Sequence, residues 1–191
     1  MKAYAYSDYL WLPLLLAVFV AFLASYGWRR RTVQGALPFF IGCLFAVAWC
    51  IGSLLETAAV DPNTKIFWLR FLTLWQLPIV SAATCFALQY SGLDRWLTRR
   101  NVALLAAPPV VFMAFILTDG LHHLVWTGFT FDGAHVTGIR GPVLLVFLTY
   151  SYLLFFVNIC ILSWLFITSP RHRAPAALMV VGQISARIVF E

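Results

Sequence analysis

A chain of 191 residues that is 62% hydrophobic and only 10% charged is not an ordinary water-soluble domain, in which roughly a quarter of the residues carry charge. A mean hydropathy of +0.88 leaves no room within it for a sizeable soluble domain, and no G-x-G-x-x-G or G-x-x-x-x-G-K-[ST] occurs, so a nucleotide-binding domain is excluded. The net charge of +6, from 13 basic and 7 acidic residues, sits in short clusters between apolar runs, a pattern that orients a membrane protein and does not suit nucleic acid.

Apolar runs of about 18 residues or more are long enough to cross a hydrocarbon core of roughly 30 Å at about 1.5 Å per helical residue. Helices are the economical solution, because in lipid each backbone N–H and C=O must be satisfied within its own segment. Six such runs can be drawn, giving an all-α polytopic bundle. The first spans about 9–28; only Lys2 precedes it whereas Arg29, Arg30 and Arg31 follow, the reverse of a signal peptide. The second spans 35–59 and holds Cys43, Cys50 and Glu56; the third spans 66–91 with Arg70, Pro78 and Cys85. The fourth covers 102–118, with Pro108 and Pro109, and a polar stretch from Asp119 to Arg140 separates it from the fifth, 142–168, which carries Cys160. The four cysteines have no C-x-x-C or metal-ligand spacing and read as small apolar packing residues. The sixth run, 174–191, is short and carries Arg187 and Glu191. Charges at that depth cost several kcal/mol unless paired or hydrated, so this segment is expected to be peripheral, or the incomplete start of a sixth helix in an architecture that continues beyond Glu191.

Basic residues in alternate loops fix an expected orientation. Arg29, Arg30, Arg31, Arg95, Arg99, Arg100, Arg171 and Arg173 are eight on one side, against Lys2, Lys65 and Arg140, three on the other. Retention of basic loops in the cytoplasm then places the N-terminus outside. Lysine occurs only at positions 2 and 65, so no membrane-centre lysine is available for a retinal Schiff base.

F-A-L-Q-Y-S-G at 86–92, the turn R-W-L-T-R-R at 95–100, L-L-A-A-P-P ending at Pro109, L-T-D-G-L-H-H-L-V-W at 117–126, Gly141-Pro142 and Tyr150-Ser151-Tyr152-Leu153-Leu154 follow one another in order. Together they resemble the N-terminal seven-helix membrane region of bacterial sensor histidine kinases, over about residues 10–170. The resemblance implies a seven-helix architecture in the bacterial cytoplasmic membrane, a sensing and anchoring role in a two-component system, and self-association as a homodimer. Two departures stand out. Asp119 occupies a position where the family usually has asparagine, and the phosphoacceptor and ATP-binding core that follows the seventh helix in the family is absent from these residues. The chain is therefore expected to comprise a sensor bundle of five spans over 1–170, the start of a further helix over 171–191 and no kinase domain, and not to be an enzyme in itself.

Candidate sensing residues are Glu56, Arg70, Asp119, His122, His123, Trp126, Arg140 and, within the Y-x-Y-L stretch, Tyr150. Glu56 and Arg70 flank the A-A-V-D-P-N-T-K turn almost symmetrically, so a salt bridge between adjacent antiparallel helices is expected, as a structural clamp or as a functional pair. Asp119, His122 and His123, with Asp132 and His135 further along, have the chemistry of a zinc or proton sensor, although adjacent His122 and His123 face different sides of any helix. Interfacial capping beside the anchoring Trp126 is the simpler account, and no metal or other cofactor is assigned. Pro78, Pro108 and Pro109 are candidate hinges because mid-helix proline frees a carbonyl and bends the helix. Gln76, Gln89 and Asn158 are expected to bridge helices. The lipid bilayer is the obligatory partner, and the abundant tryptophan and phenylalanine admit a small hydrophobic ligand.

The leading reading is thus a non-catalytic input module that passes an extracytoplasmic or intramembrane signal inward by helix repacking. An integral-membrane zinc-dependent lipid hydrolase of ceramidase type, using Asp119, His122, His123 and His135, is the alternative. A transporter built from repeats is disfavoured, because helices 1 to 3 and 4 to 6 show no self-similarity.

Overall fold

Each long apolar run becomes a helix in the computed structural model, which describes residues 4–6, 9–132 and 135–190, apart from the side chains at 132, 135, 171 and 186–190. In chain order these are α1 (Trp11–Arg29), α2 (Ala36–Ala58), α3 (Pro62–Tyr90), α4 (Arg99–His122), α5 (Pro142–Thr168) and α6 (Arg173–Phe190). Among the described residues the first five are long and apolar enough to cross a membrane. The protein is accordingly a multi-pass helical bundle.

Local chemistry sets the helix ends. Gly35 adopts a left-handed conformation, φ 86°, to turn the chain into α2. Asp61 caps α3 by accepting from the Thr64 amide at 3.1 Å, and Pro62 stands in the first turn, where its missing N–H is no loss. This cap starts α3 four residues before the expected boundary and makes it the longest helix, at 29 residues. Thr98 caps α4 through its hydroxyl, 3.3 Å from the Asn101 amide, and α4 ends on His123 at φ 52°. Both ends of α4 reach beyond the apolar run.

The bundle is organised around α3, which packs on α2, α4 and α5; α1 lies against α2 and α6 against α5. The arginine-bearing turns gather at one end. There the Gly35 amide donates to Gln89 Oε1 at 3.0 Å, so Gln89 bridges helices as its polarity implied, and Tyr90 meets His172 edge to face with centroids 5.5 Å apart. The carbonyl oxygen of Asn158, by contrast, is buried with no partner among the described residues.

The opposite end carries structure the hydropathy pattern did not announce. Residues after α4 form an antiparallel hairpin, β1 (Trp126–Asp132) and β2 (His135–Arg140), with Trp126 opposite Arg140 and Thr130 opposite Thr137. Val125 and Trp126 tuck beneath it into a core with Leu77 of α3, Phe112 and Ile116 of α4 and Phe147 of α5. The rings of Phe112 and Phe147 lie 4.5 Å apart.

The prolines differ in setting. Pro78 and Pro109 are buried inside α3 and α4. Pro109 cannot donate to the carbonyl four residues earlier, that of Leu105. The hydroxyl of Tyr150 on α5 donates to that oxygen at 3.2 Å, which gives Tyr150 a structural task. Tyr150→Phe should lower thermal stability by about 1–2 kcal/mol, the usual loss when a buried acceptor is left unmatched. A melting curve in detergent micelles that does not move would contradict this account.

Candidate functional site

The charged residues of the hairpin end form two separate pairs. Lys65, near the start of α3, lies 3.8 Å from Glu56 Oε1 and donates to the Glu56 carbonyl at 3.2 Å. Arg70, further along α3, reaches across to α4 and donates from Nη2 to Asp119 Oδ2 at 3.3 Å. The expected Glu56–Arg70 bridge is therefore not formed. Five residues along a helix turn the side chain by about 140°; Lys65 and Arg70 consequently face different neighbours, Lys65 towards α2 and Arg70 towards α4.

Asp119 is the centre of the second group. It is fully buried, and a carboxylate in that position is tolerated only if its lone pairs are matched. Oδ1 accepts from the backbone N–H of Val125 at 2.9 Å and of Trp126 at 3.3 Å, while Oδ2 takes the Arg70 guanidinium. Its own carbonyl accepts the His123 amide at 2.9 Å, closing α4. One side chain thus holds α3, the end of α4 and the first residues of the hairpin together.

The guanidinium of Arg70 stands 5.9 Å from the ring centre of Trp126 and 5.6 Å from that of Phe129, a favourable placement for a cation over aromatic faces. Its Nε is buried without a partner among the described residues, and about a third of the side chain remains exposed. The hairpin is fastened to α5 as well. Gly141 N–H donates to the Val125 carbonyl at 2.8 Å and Val143 N–H to that of Leu124 at 3.2 Å. A Cβ on Gly141 would overlap the Leu124 carbonyl oxygen, and one on Gly138 would overlap the Trp126 ring; glycine is required at both places for space.

The histidines do not converge. His122 Nδ1 lies 4.0 Å from Asp119 Oδ1 but accepts the Leu124 amide at 3.1 Å, and its Nε2 lies 3.1 Å from the Thr118 hydroxyl. His123 is exposed on the helix cap. The side chains of Asp132 and His135 lie outside the described residues. Among the described residues no three histidine, cysteine, aspartate or glutamate side chains could hold a metal ion. Arg140 is exposed at the base of β2, and Tyr150 sits deeper, at the Leu105 carbonyl.

Sequence reasoning picked out Arg70, Asp119 and Trp126 separately but not as one unit. It missed Phe129 and Lys65. The alternation of W-T-G-F-T-F and H-V-T-G-I-R around a glycine-bearing turn was the available signal for the hairpin.

A family model described as the N-terminal 7TM region of histidine kinase matches residues 12–190. No curated protein and no solved structure matches the chain.

Proposed function

The chain belongs to the family of N-terminal 7TM regions of histidine kinases, and from that premise we propose that it is a non-catalytic input module whose signal is received at the hairpin end and passed along α3 and α4 to the arginine-bearing end. The observation that supports this most is the buried carboxylate of Asp119 tying α3, α4 and the hairpin, next to an arginine whose Nε has no partner among the described residues and which lies by two aromatic rings. Such a joint has two arrangements within reach, Arg70 on Asp119 or Arg70 on an external acceptor, and a two-state element is what signal transmission needs.

The charge asymmetry of the loops supports an N-terminus outside and the arginine-bearing end in the cytoplasm of a bacterium. On this reading the bundle continues into a seventh helix and pairs with a second copy, as the family resemblance implies. Residues 1–170 then form the sensing unit. The zinc-hydrolase alternative gains no support, since both oxygens of Asp119 are already engaged by Arg70 and by backbone amides.

Transmission is testable without knowing the signal. Spin labels at Arg100→Cys and Thr168→Cys, with the native cysteines replaced, report the distance between the arginine-end termini of α4 and α5. Asp119→Asn and Arg70→Gln are expected to shift that distance distribution in lipid nanodiscs. Superimposable distributions for all three proteins would sink the reading.

A further inference from the structure

A groove whose accessible surface is entirely apolar runs along the arginine-bearing half of the bundle, with α3 as its floor, including Ser81 with its hydroxyl buried, and α2 and α4 as its walls. Its volume is about 320 Å³, and its lining includes Phe45, Pro78, Cys85, Ala106, Pro109 and Met113. On α4 the lining positions 102, 106, 109, 110 and 113 recur at helical spacing, so one stripe of the helix faces the groove. From Val102 to Met113 the stripe rises about 16 Å, close to half of a roughly 30 Å hydrocarbon core. The groove therefore has the depth of one leaflet. The groove is open along one side, so an extended alkyl chain can enter it laterally from the bilayer.

What stands at its mouth is positive. Arg99 lies three residues before Val102 and so continues the groove-facing stripe out of the hydrocarbon; Arg100 adjoins it and Arg95 lies in the turn before, all three exposed. The N-terminal ends of α2 and α4 both open at this level, and the positive ends of two helix dipoles add to the arginines. A bound species must therefore be amphiphilic, with one apolar chain of leaflet depth and an anionic head.

We propose that this groove is a binding site for one acyl chain of an anionic phospholipid, whose phosphate is held by Arg99 and Arg100. A lipid seated there fills the gap between α2 and α4 beside Pro78 and Pro109, the two buried helix-interior prolines. The site is separate from the Asp119 joint and stands or falls independently of the sensing role proposed above.

The test uses the intact chain in phosphatidylcholine vesicles containing a trace of phospholipid with a photoactivatable diazirine at mid-chain, bearing either a phosphoglycerol or a phosphocholine head. After illumination, labelled residues are mapped by peptide mass spectrometry. The phosphoglycerol probe should label Cys85, Val110 and Met113 at least about fivefold more than Val146 and Phe156 on the exposed face of α5, the factor carried by about 1 kcal/mol for even one arginine. The phosphocholine probe should show no such preference. Ala106→Phe, which fills the groove from an exposed position, should abolish groove labelling and leave α5 labelling intact. Arg99→Gln with Arg100→Gln should bring the two probes to within about twofold of each other, since the roughly 1 kcal/mol per arginine is then gone. Equal labelling by both probes in the unaltered protein, or groove labelling that survives Ala106→Phe, overturns the proposal.

Discussion

Replacing Asp119 by alanine should produce the largest loss of stability of any single polar substitution in this bundle. It leaves the Arg70 guanidinium partly buried without a counter-ion and two backbone N–H groups, those of Val125 and Trp126, without an acceptor. Breaking a buried pair from one side costs about 3–5 kcal/mol, and each orphaned amide adds about 1–3 kcal/mol if water cannot reach it. Asp119→Asn should be much milder, because the amide oxygen can still accept from the hairpin while only the charge opposite Arg70 is lost. Removing Arg70 as well should recover part of the Asp119→Ala loss, since the stranded charge goes with it. Melting temperatures of the four proteins in one detergent decide the matter. Equal losses for Asp119→Ala and Asp119→Asn would show that the carboxylate does not organise the hairpin.

The second large effect is expected at Gly141. Its backbone conformation, φ −86°, is open to any residue, so the requirement is one of space alone: a methyl group there meets the Leu124 carbonyl oxygen. That oxygen already accepts from Val143, and the neighbouring Val125 carbonyl accepts from Gly141 itself. Gly141→Ala must push the hairpin off α5 and loosen Val125 and Trp126 from the core, an overpacking cost of about 1–3 kcal/mol or more. Gly120 provides the contrast. Nothing lies within 4 Å of a Cβ built on it inside α4, and Gly120→Ala should raise stability by up to about 1 kcal/mol through helix propensity. Opposite shifts in thermal unfolding are the expected result. If Gly141→Ala is neutral, the close approach of hairpin and helix is wrong.

The spans themselves were legible because lipid imposes a length and an apolar composition that hydropathy reads directly. The rotation of each helix was not. α5 is apolar nearly all round; its polar Asn158 marks one inward position, but nothing in the composition shows that Phe147 and Leu154 share that face. The same limit explains the mispaired charges. Glu56 meets Lys65, five residues nearer the start of α3 than Arg70, so both the level and the azimuth of the partner follow from packing that a symmetric turn does not encode. Asp119 is recognisable in the sequence as a sensing candidate where the fourth span ends, but its burial is not. Neither are its hairpin partners, because a polar stretch between two spans carries no hydropathy signal for strands.

The hydrogen bond from Tyr150 to the Leu105 carbonyl has a mechanical consequence. Towards the hairpin α4 is held by the Phe112–Phe147 contact and by Asp119, and at Leu105 by Tyr150, while its flank from Val102 to Met113 faces the groove. If α4 tilts about Pro109, the displacement is felt at its arginine end. Ten residues separate Pro109 from Arg99, an arm of about 15 Å, so a tilt of about 10° at the fulcrum carries the arginine end sideways by roughly 2.6 Å by the same geometry. A displacement of that size is comparable to the length of a hydrogen bond.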